Sequence, residues 1–383
     1  MEFDFLQPLN EEVLEFANAL SSQNLGSKIV LHIKEEFPDL NKIKIAIIGV
    51  LDNRGEKNAT SNVDLFPFRK ELYCLFPGNW DASIADLGDI AAGDTLEDTY
   101  FALKSVAATL IKKKIIPIVI GGSQDLTYPL YRAFDSLEQM VNLVSIDSKF
   151  DFGKESESVT SDSYLTKIIV DEPNNLFNFC NIGYQTYFNS QEEIDLIEKL
   201  FFDAYRLGDI SNTIALAEPV FRDADLVSLD FNAIKSSDSG NLVTFIPNGF
   251  NGKEICSLSR YAGISDKVSL FGIFNHENSS QSAVLIAQII WYFIEGFHYR
   301  SNEYPFGNKE NYIKYIVPLE QEELVFYKSN KTGRWWIEIP FISNSYNKLK
   351  RNTLFPCSYE EYLIACGNEM PERWWKAQRK NVV

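Results

Sequence analysis

The stretch from Ile115 to Asp151 constrains the fold more than any other part of the chain. It begins with an apolar run rich in Ile and Val, continues through a helix-like segment and ends with a second apolar run. Each run stops abruptly at polar residues, as the buried strands of a parallel sheet do. Ligands bind at the carboxyl-terminal edge of such sheets, so we expect a site where the two runs end.

The polar residues that follow these runs are the candidate site residues. The first run ends in Gly-Gly-Ser-Gln-Asp and the second in Asp-Ser-Lys-Phe-Asp, and a third apolar run at 225–232 ends in Asp-Phe-Asn. A parallel sheet brings such strand ends to one place. The site residues predicted in this way are Gln124, Asp147, Lys149, Asp151, Asp230 and Asn232.

The order of the helix and strand patterns along the chain predicts the domain organisation. They alternate from residue 44 to residue 298, which predicts a three-layer α/β domain with a mostly parallel central sheet and helices on both faces. Residues 1–43 are interpreted as helices of that domain, because the apolar positions from Leu9 to Phe37 follow helical spacing. After residue 298 the pattern changes to hairpin and capping-box signals. We therefore expect an α/β domain at 1–298 and a hairpin-and-helix extension at 299–383 packed on it.

The three strand-end motifs resemble those of the ureohydrolase family, which contains arginase, agmatinase and formimidoylglutamase. The family pattern is Gly-Gly-x-His-Asp, then Asp-Ala-His-x-Asp, then Ser-x-Asp-x-Asp, and the counterparts here are 121–125, 147–151 and 228–232. The resemblance implies an arginase-like fold. It also implies a dinuclear manganese site whose bridging hydroxide attacks a guanidino or formimino carbon.

Three positions that hold manganese in the family carry other side chains here. The family's two histidine ligands fall on Gln124 and Lys149, and its last aspartate falls on Asn232. An ammonium among the remaining carboxylates would replace the charge of a metal and repel a divalent ion, so we expect no metal. Three carboxylates and one ammonium leave excess negative charge, which a proton, water or a lone cation must balance. If an ion binds, its ligands are Asp147, Asp151 and Asp230.

Two further site candidates follow the last strand of the α/β pattern. The family has a substrate-contacting glutamate near this point, where the chain reads Asn275-His276-Glu277. His276 is the one histidine of three that we expect near the sheet edge. The polar stretch 153–166 is interpreted as a surface loop, and it lacks the histidine that assists proton transfer in the family.

Composition and charge exclude several function classes. A formal charge of −17 argues against nucleic acid and anionic membranes as partners. The amino terminus, Met-Glu-Phe-Asp-Phe, lacks the basic and apolar pattern of a signal peptide, and the most apolar helix is too short to cross a bilayer. Five scattered cysteines indicate free thiols. We therefore expect a cytoplasmic protein.

The tryptophans of the extension suggest two roles for it. It holds four of the six tryptophans, Trp335, Trp336, Trp374 and Trp375. They either pack the extension against the α/β domain or form a surface for a protein partner or for self-association. Family members often form trimers or hexamers, so the chain is also expected to be an oligomer.

Two functions follow from these observations. We expect a ureohydrolase-fold protein that has lost its manganese site and acts as a scaffold or as a ligand- or partner-binding protein. The alternative is metal-dependent hydrolysis of a C–N bond in a linear amidine or guanidine, as in formimidoylglutamase or arginase.

Overall fold

The structure is a computed structural model that describes residues 3–56, 63–80, 83–137, 139–153, 158–303, 309–320, 322–339 and 354–382. Its strands are β1 (Leu6–Gln7), β2 (Val30–Leu31), β3 (Ile45–Leu51), β4 (Ile84–Ala91), β5 (Ile116–Gly121), β6 (Val141–Ile146), β7 (Leu176–Tyr184), β8 (Asp203–Arg206), β9 (Leu226–Asp230), β10 (Leu270–Phe274), β11 (Tyr312–Pro318), β12 (Glu323–Ser329), β13 (Trp335–Glu338) and β14 (Leu354–Cys357). Its helices are α1 (Glu11–Asn18), α2 (Phe66–Cys74), α3 (Leu96–Lys112), α4 (Thr127–Arg132), α5 (Tyr164–Val170), α6 (Gln191–Lys199), α7 (Leu207–Asn212), α8 (Glu218–Asp223), α9 (Ser236–Ser239), α10 (Gly252–Ile264), α11 (Ser280–His298), α12 (Tyr359–Cys366) and α13 (Glu372–Val382).

Ten strands of the described residues form one sheet, in the order β1-β4-β3-β5-β10-β9-β6-β7-β8, with β2 pairing β4 in addition. The pairings are parallel except that of β1 with β4. Every residue of β5, β6, β9 and β10 is buried, which explains why their sequences are continuous apolar runs.

Helices cover both faces of this sheet. Residues of α2, α10 and α11 belong to the core on one face. Residues of α3, α4 and α5 belong to the core on the other face. The three-layer, mostly parallel α/β prediction is therefore confirmed. In the described parts of the chain, no helix combines the length and apolarity that a bilayer span requires.

The amino-terminal region differs from the predicted helices. One helix, α1, spans only Glu11–Asn18, and its Asn10 side chain caps it by accepting the Val13 N–H. Further along, Val30 and Leu31 form β2 and pair in parallel with β4. The prediction of helices up to Phe37 is therefore wrong beyond α1, since the β-branched run after residue 28 prefers a strand.

The sequence pattern at 191–205 predicts one helix, but the helix of the structure is shorter. It ends at Lys199, because Phe201 adopts a left-handed backbone with φ of 55°, and Asp203–Arg206 forms β8.

In the extension, the predicted hairpin is confirmed as β12 and β13, and the capping box at Ser358 opens α12 as expected.

The extension packs against the amino-terminal edge of the large sheet. Its strands form a separate antiparallel sheet in the order β11-β12-β13-β14. Arg222 of α8 donates to the carbonyls of Trp335 and Cys357, at 3.0 and 2.8 Å. The α13 residue Lys380 bonds Asn178, which lies near the start of β7. The extension therefore lies away from the edge where the motif strands end.

Three of the four tryptophans in the extension are buried. Trp335, Trp336 and Trp374 are at most 6% exposed, and Trp375 is 38% exposed. The Trp335 ring stacks on Tyr362 with centroids 4.7 Å apart. These rings belong to the core of the extension, so the predicted partner surface rests on Trp375 and stays a prediction. All five cysteines are free, as expected.

Candidate functional site

The carboxyl-terminal ends of four neighbouring strands define the site. The strands β5, β10, β9 and β6 are consecutive in the sheet, and they pair in register up to Ile120↔Ile273, Phe274↔Asp230 and Leu229↔Ile146. Their ends are therefore aligned at one edge. The predicted convergence of the three motifs follows directly from this topology.

Gln124 lies fully buried at this edge, in the turn that follows β5. Its Nε2 donates to Asp147 Oδ2 at 2.8 Å. Its backbone N–H donates to Ser161 Oγ and to Asn275 Oδ1, both at 3.1 Å. Its Oε1 is buried and accepts no hydrogen bond from the described residues. The amide therefore presents N–H groups, which have no lone pair for a metal, to the nearest carboxylate.

Three buried carboxyl groups form the centre of the site. Asp147, Asp151 and Asp230 are 1%, 6% and 6% exposed. Burial raises the pKa of all three above that of a free carboxyl group, and neighbouring carboxylates raise the pKa of Asp151 and Asp230 further. Asp151 hydrogen-bonds Asp147 through their side chains. We interpret this contact as a protonated Asp151 that donates to the Asp147 carboxylate.

Lys149 is placed differently from the expected ammonium among the carboxylates. Its Nζ pairs with Asp162 Oδ1 at 3.0 Å, and both side chains are more than 40% exposed. The strand β6 ends at Ile146, and Asp151 adopts a left-handed backbone with φ of 55°. Residues 147–151 are therefore not extended, so Asp147, Lys149 and Asp151 do not point to one side as they would in a strand. The Lys149 ammonium therefore lowers the pKa of the three carboxyl groups from outside the cluster and does not lie among them.

The Asn232 side chain hydrogen-bonds a neighbouring loop. Its backbone N–H, and not its side-chain amide, donates to Asp230 Oδ1, at 2.7 Å. Its Oδ1 accepts a hydrogen bond from Asn241 Nδ2 at 3.2 Å. The amide therefore links the site to the loop that follows α9. It does not take the place of a carboxylate ligand.

His276 and Glu277 follow β10 at the same edge. The His276 ring is 6.2 Å from the Phe231 ring, centroid to centroid, and its Nε2 is buried without a partner among the described residues. Burial lowers the pKa of His276 to about 4, so the ring is neutral at pH 7. Glu277 accepts the Ser279 N–H through its backbone carbonyl. His276 thus lies close to the Asp230 strand end.

The sequence did not identify several partners of the site. Ser161 and Tyr164 lie in the stretch interpreted as a surface loop, of which 154–157 lie outside the described residues. Both are buried. The Tyr164 hydroxyl lies 3.3 Å from Gln124 Nε2 and 3.2 Å from Ser145 Oγ. Asn275 hydrogen-bonds Asp230 and Gln124 and joins three strand ends. No sequence signal marks Ser161 or Tyr164, since they lie in a polar, Ser-rich segment.

Asp125, the neighbour of Gln124, is a fourth buried acid at this edge. Its carboxyl accepts a short hydrogen bond from the Tyr100 hydroxyl. Burial raises the pKa of Asp125 to about 6. A raised folded-state pKa means that its stabilising contribution is complete below the unfolded pKa of about 3.9 and is lost as the pH rises through 6.

Asp125→Asn should therefore stabilise the fold at pH 7.5 and have little effect near pH 4. The expected gain is about 1–3 kcal/mol, because each unit of pKa shift corresponds to about 1.4 kcal/mol. Urea unfolding at pH 4, 5, 6 and 7.5 measures the difference. Equal differences at all four values would show that the charge of Asp125 is not the cause.

The side chains of the site do not supply the ligands of the two manganese ions that the resemblance implies. Gln124 directs N–H groups at Asp147, Lys149 forms an ion pair with Asp162, and the Asn232 oxygen is engaged by Asn241. Each manganese needs several nitrogen or oxygen lone pairs. Among the described residues, no group of three or more His, Cys, Asp or Glu side chains could hold a metal ion. These residues do not fit a dinuclear site.

Known proteins of similar sequence include two curated enzymes. The formimidoylglutamase of Geobacillus thermodenitrificans is 31% identical over 131 residues, 33% of this chain and 38% of that protein. The formimidoylglutamase of Lysinibacillus sphaericus is 24% identical over 181 residues, 46% of this chain and 54% of that protein. The chain thus spans about half or less of the length of these curated relatives.

Solved structures agree with the fold. The Trypanosoma cruzi formiminoglutamase, crystallised with Mn²⁺, has a TM-score of 0.61 at 21% identity and covers 69% of this chain and 100% of its own. The formimidoylglutamase of Bacillus subtilis has a TM-score of 0.59 at 15% identity and covers 77% of this chain and 100% of its own. The family model for the arginase family matches residues 68–294, which include all three strand-end motifs. With a match over more than half of its length, the chain belongs to the arginase family.

Proposed function

We propose that the chain is an arginase-family protein that no longer uses two manganese ions for hydrolysis and serves as a scaffold or binding protein. The observation that carries the proposal is the hydrogen bond from Gln124 Nε2 to Asp147 Oδ2. It lies where the family pattern has a histidine ligand. An amide N–H directed at the carboxylate satisfies that oxygen without a metal.

The charges of the cluster support this proposal. A pair of buried carboxylates is costly unless protons or cations neutralise it. Gln124 Nε2 donates to Asp147 at 2.8 Å and the Asn232 backbone N–H donates to Asp230 at 2.7 Å. These neutral donors offset part of the cost of burying the carboxyl groups without a metal ion.

A second candidate function is hydrolysis of a C–N bond in a linear amidine with one metal ion. Two observations favour it. The curated relatives carry the name formimidoylglutamase. Two buried oxygens of the site, Asp151 Oδ2 and Gln124 Oε1, also accept no hydrogen bond from the described residues. Both have lone pairs that a hard cation prefers.

Metal content and activity distinguish the two candidates. The full chain is purified, dialysed against buffer with and without added Mn²⁺, and analysed by inductively coupled plasma mass spectrometry. Release of urea from arginine and agmatine, and of formamide from formimidoylglutamate, is assayed in parallel. We expect manganese far below one ion per chain and no release above the uncatalysed rate. Stoichiometric manganese together with release of either product would establish the hydrolase.

Restoring the family ligands gives a direct test of the site. The triple variant Gln124→His, Lys149→His, Asn232→Asp should bind up to two Mn²⁺ per chain, because it recovers the imidazole and carboxylate donors. Isothermal titration calorimetry with Mn²⁺ measures the stoichiometry.

The control for this titration is the triple variant with Asp230→Asn added, which should lose most of the binding. A triple variant that folds with native circular dichroism yet binds no Mn²⁺ would show that these three positions are not the former ligand positions.

A further inference from the structure

A bulge in β4 brings two acids onto one face of that strand. The pairing of β3 with β4 shifts register between Asp86 and Asp89, where β4 contains one residue more than β3. Gly88 accommodates this extra residue with a left-handed backbone, at φ of 80°. Residues three apart in a regular strand point to opposite faces. Because of the bulge, both carboxylates reach the guanidinium of Arg69.

Arg69 cannot neutralise both of these acids. It donates to Asp86 from Nε and Nη2, at 2.9 and 3.2 Å, and to Asp89 from Nη2 and Nη1, at 2.7 and 3.1 Å. Asp86 is fully buried and also accepts the Tyr73 hydroxyl and the Gly88 N–H. The hydrogen bonds that the described residues make to the Asp89 carboxylate come from Arg69 alone, and this side chain is 20% exposed. The excess negative charge is therefore accessible at Asp89.

A cavity of about 210 Å³ lies at this carboxylate. Arg69 and Asp89 form one part of its wall, and Asp64 adds a second carboxylate. The remaining wall is mostly apolar and consists of Asn10, Val13, Leu51, Val63, Leu65 and Phe66. A water molecule occupies about 30 Å³ of liquid, so the cavity has room for a small organic molecule. None of the candidate site residues lines it.

The Arg69 guanidinium also has an unused donor at this wall. Nη1 carries two N–H groups, and the acceptor that the described residues offer it is Asp89 Oδ2. The Arg69 side chain is 2% exposed. A buried N–H group without an acceptor is costly, and an oxygen atom of a molecule in the cavity would remove this cost.

We propose that this cavity binds a small aliphatic ammonium ion that carries a hydroxyl group. The ammonium donates to lone pairs of Asp89 that Arg69 leaves open and supplies the missing positive charge. The hydroxyl oxygen accepts the second N–H of Arg69 Nη1, and the carbon chain packs on the apolar wall. An anion would be repelled by the excess negative charge. A metal ion would lose its water ligands without gaining from apolar walls.

Ligand-observed NMR of the full chain with three probes of equal size tests this proposal. The probes are 3-aminopropanol, n-butylammonium and n-butanol, which differ only in their polar groups. Saturation-transfer titrations should show that 3-aminopropanol binds in the millimolar range, as expected for so few atoms. We expect binding about 3-fold weaker for n-butylammonium, which lacks the oxygen, and at least about 10-fold weaker for n-butanol, which lacks the charge.

Two substitutions in the cavity and one outside it locate the binding. Asp89→Asn should weaken the binding of 3-aminopropanol at least about 10-fold, and Asp64→Asn about 3-fold, because Asp64 is more exposed. Asp39→Asn is the matched control. Its carboxylate accepts the Asn41 N–H at 3.0 Å outside the cavity, as that of Asp64 accepts the Phe66 N–H at 3.0 Å. This control should bind 3-aminopropanol like the unchanged chain.

Circular dichroism shows whether the variants fold, and Asp64→Asn keeps the test valid if Asp89→Asn does not. Absence of binding by all three probes, or equal binding of n-butanol and 3-aminopropanol, would overturn the proposal. Equal binding of n-butylammonium and 3-aminopropanol would overturn the role given to the hydroxyl group and Arg69. Equal binding by the Asp64→Asn and Asp39→Asn variants would show that the amine binds elsewhere.

Discussion

Replacing Arg69 with methionine is expected to lower the free energy of unfolding by about 3–5 kcal/mol, the cost of leaving a buried charge without its partner. The Arg69 side chain is 2% exposed. It donates to Asp86 Oδ2 at 2.9 Å and to Asp89 Oδ1 at 2.7 Å. Asp86 is fully buried in β4, so its carboxylate would lose its only described ion-pair partner. Urea unfolding followed by tryptophan fluorescence measures the change.

Two further variants separate the charge of Arg69 from its volume. Asp86→Asn in the Arg69→Met background removes the orphaned charge and should recover about 1–2 kcal/mol. Lys104→Met is the exposed control, since Lys104 is 42% exposed and pairs with Asp135 at 3.0 Å. It should change stability by less than about 1 kcal/mol. Similar losses for Arg69→Met and Lys104→Met would contradict the buried-charge explanation.

The second large effect is expected at Arg222, which attaches the extension to the α/β domain. Besides its bonds to the carbonyls of Trp335 and Cys357, its guanidinium lies 4.7 Å from the centroid of the Trp336 ring. Arg222→Met removes two charge-assisted hydrogen bonds, each of which contributes about 1.5–3 kcal/mol. We expect the free energy required to open the extension to be about 3 kcal/mol lower than in the unchanged chain.

Hydrogen exchange with mass spectrometry resolves this opening. Protection should fall in β13 and β14 and remain in β9 and β10, because the sheet of the α/β domain keeps its own core. Arg260→Met provides the comparison, since Arg260 is 35% exposed and pairs with Glu295 at 2.9 Å. It should leave β13 and β14 unchanged. Uniform loss of protection over both parts in Arg222→Met would mean that they unfold as one unit.

The central sheet was predictable because strands that are buried on both faces have continuous apolar runs in the sequence. The apolar runs before Gln124 and Asp147 end within a residue of β5 and β6. Helix α3 is as clear, since its apolar residues recur at helical spacing and Thr95, one of two residues able to cap it, forms a capping box with Asp98. The four-residue strand β8 and the mostly polar helix α13 have no such runs, so they were not predicted.

The site was predictable in its location but not in the direction of its side chains. Topology alone brings Gln124, Asp147 and Asp230 together. The direction of Lys149 depends on the irregular backbone after β6, and that of Asn232 on the 3₁₀ turn Phe231–Ala233 after β9. A left-handed residue such as Asp151 cannot be recognised in a sequence, because aspartate occupies this conformation only occasionally.

The attachment of the extension to the amino-terminal edge of the sheet has a practical consequence. Asn178 near the start of β7, Asp203 at the start of β8 and Arg222 before β9 all contact it. A surface tether or a fluorescent label placed on α12 would therefore sit away from the strand ends that carry Gln124 and Asp147. The chain can be immobilised through this part while small molecules are screened at the opposite edge.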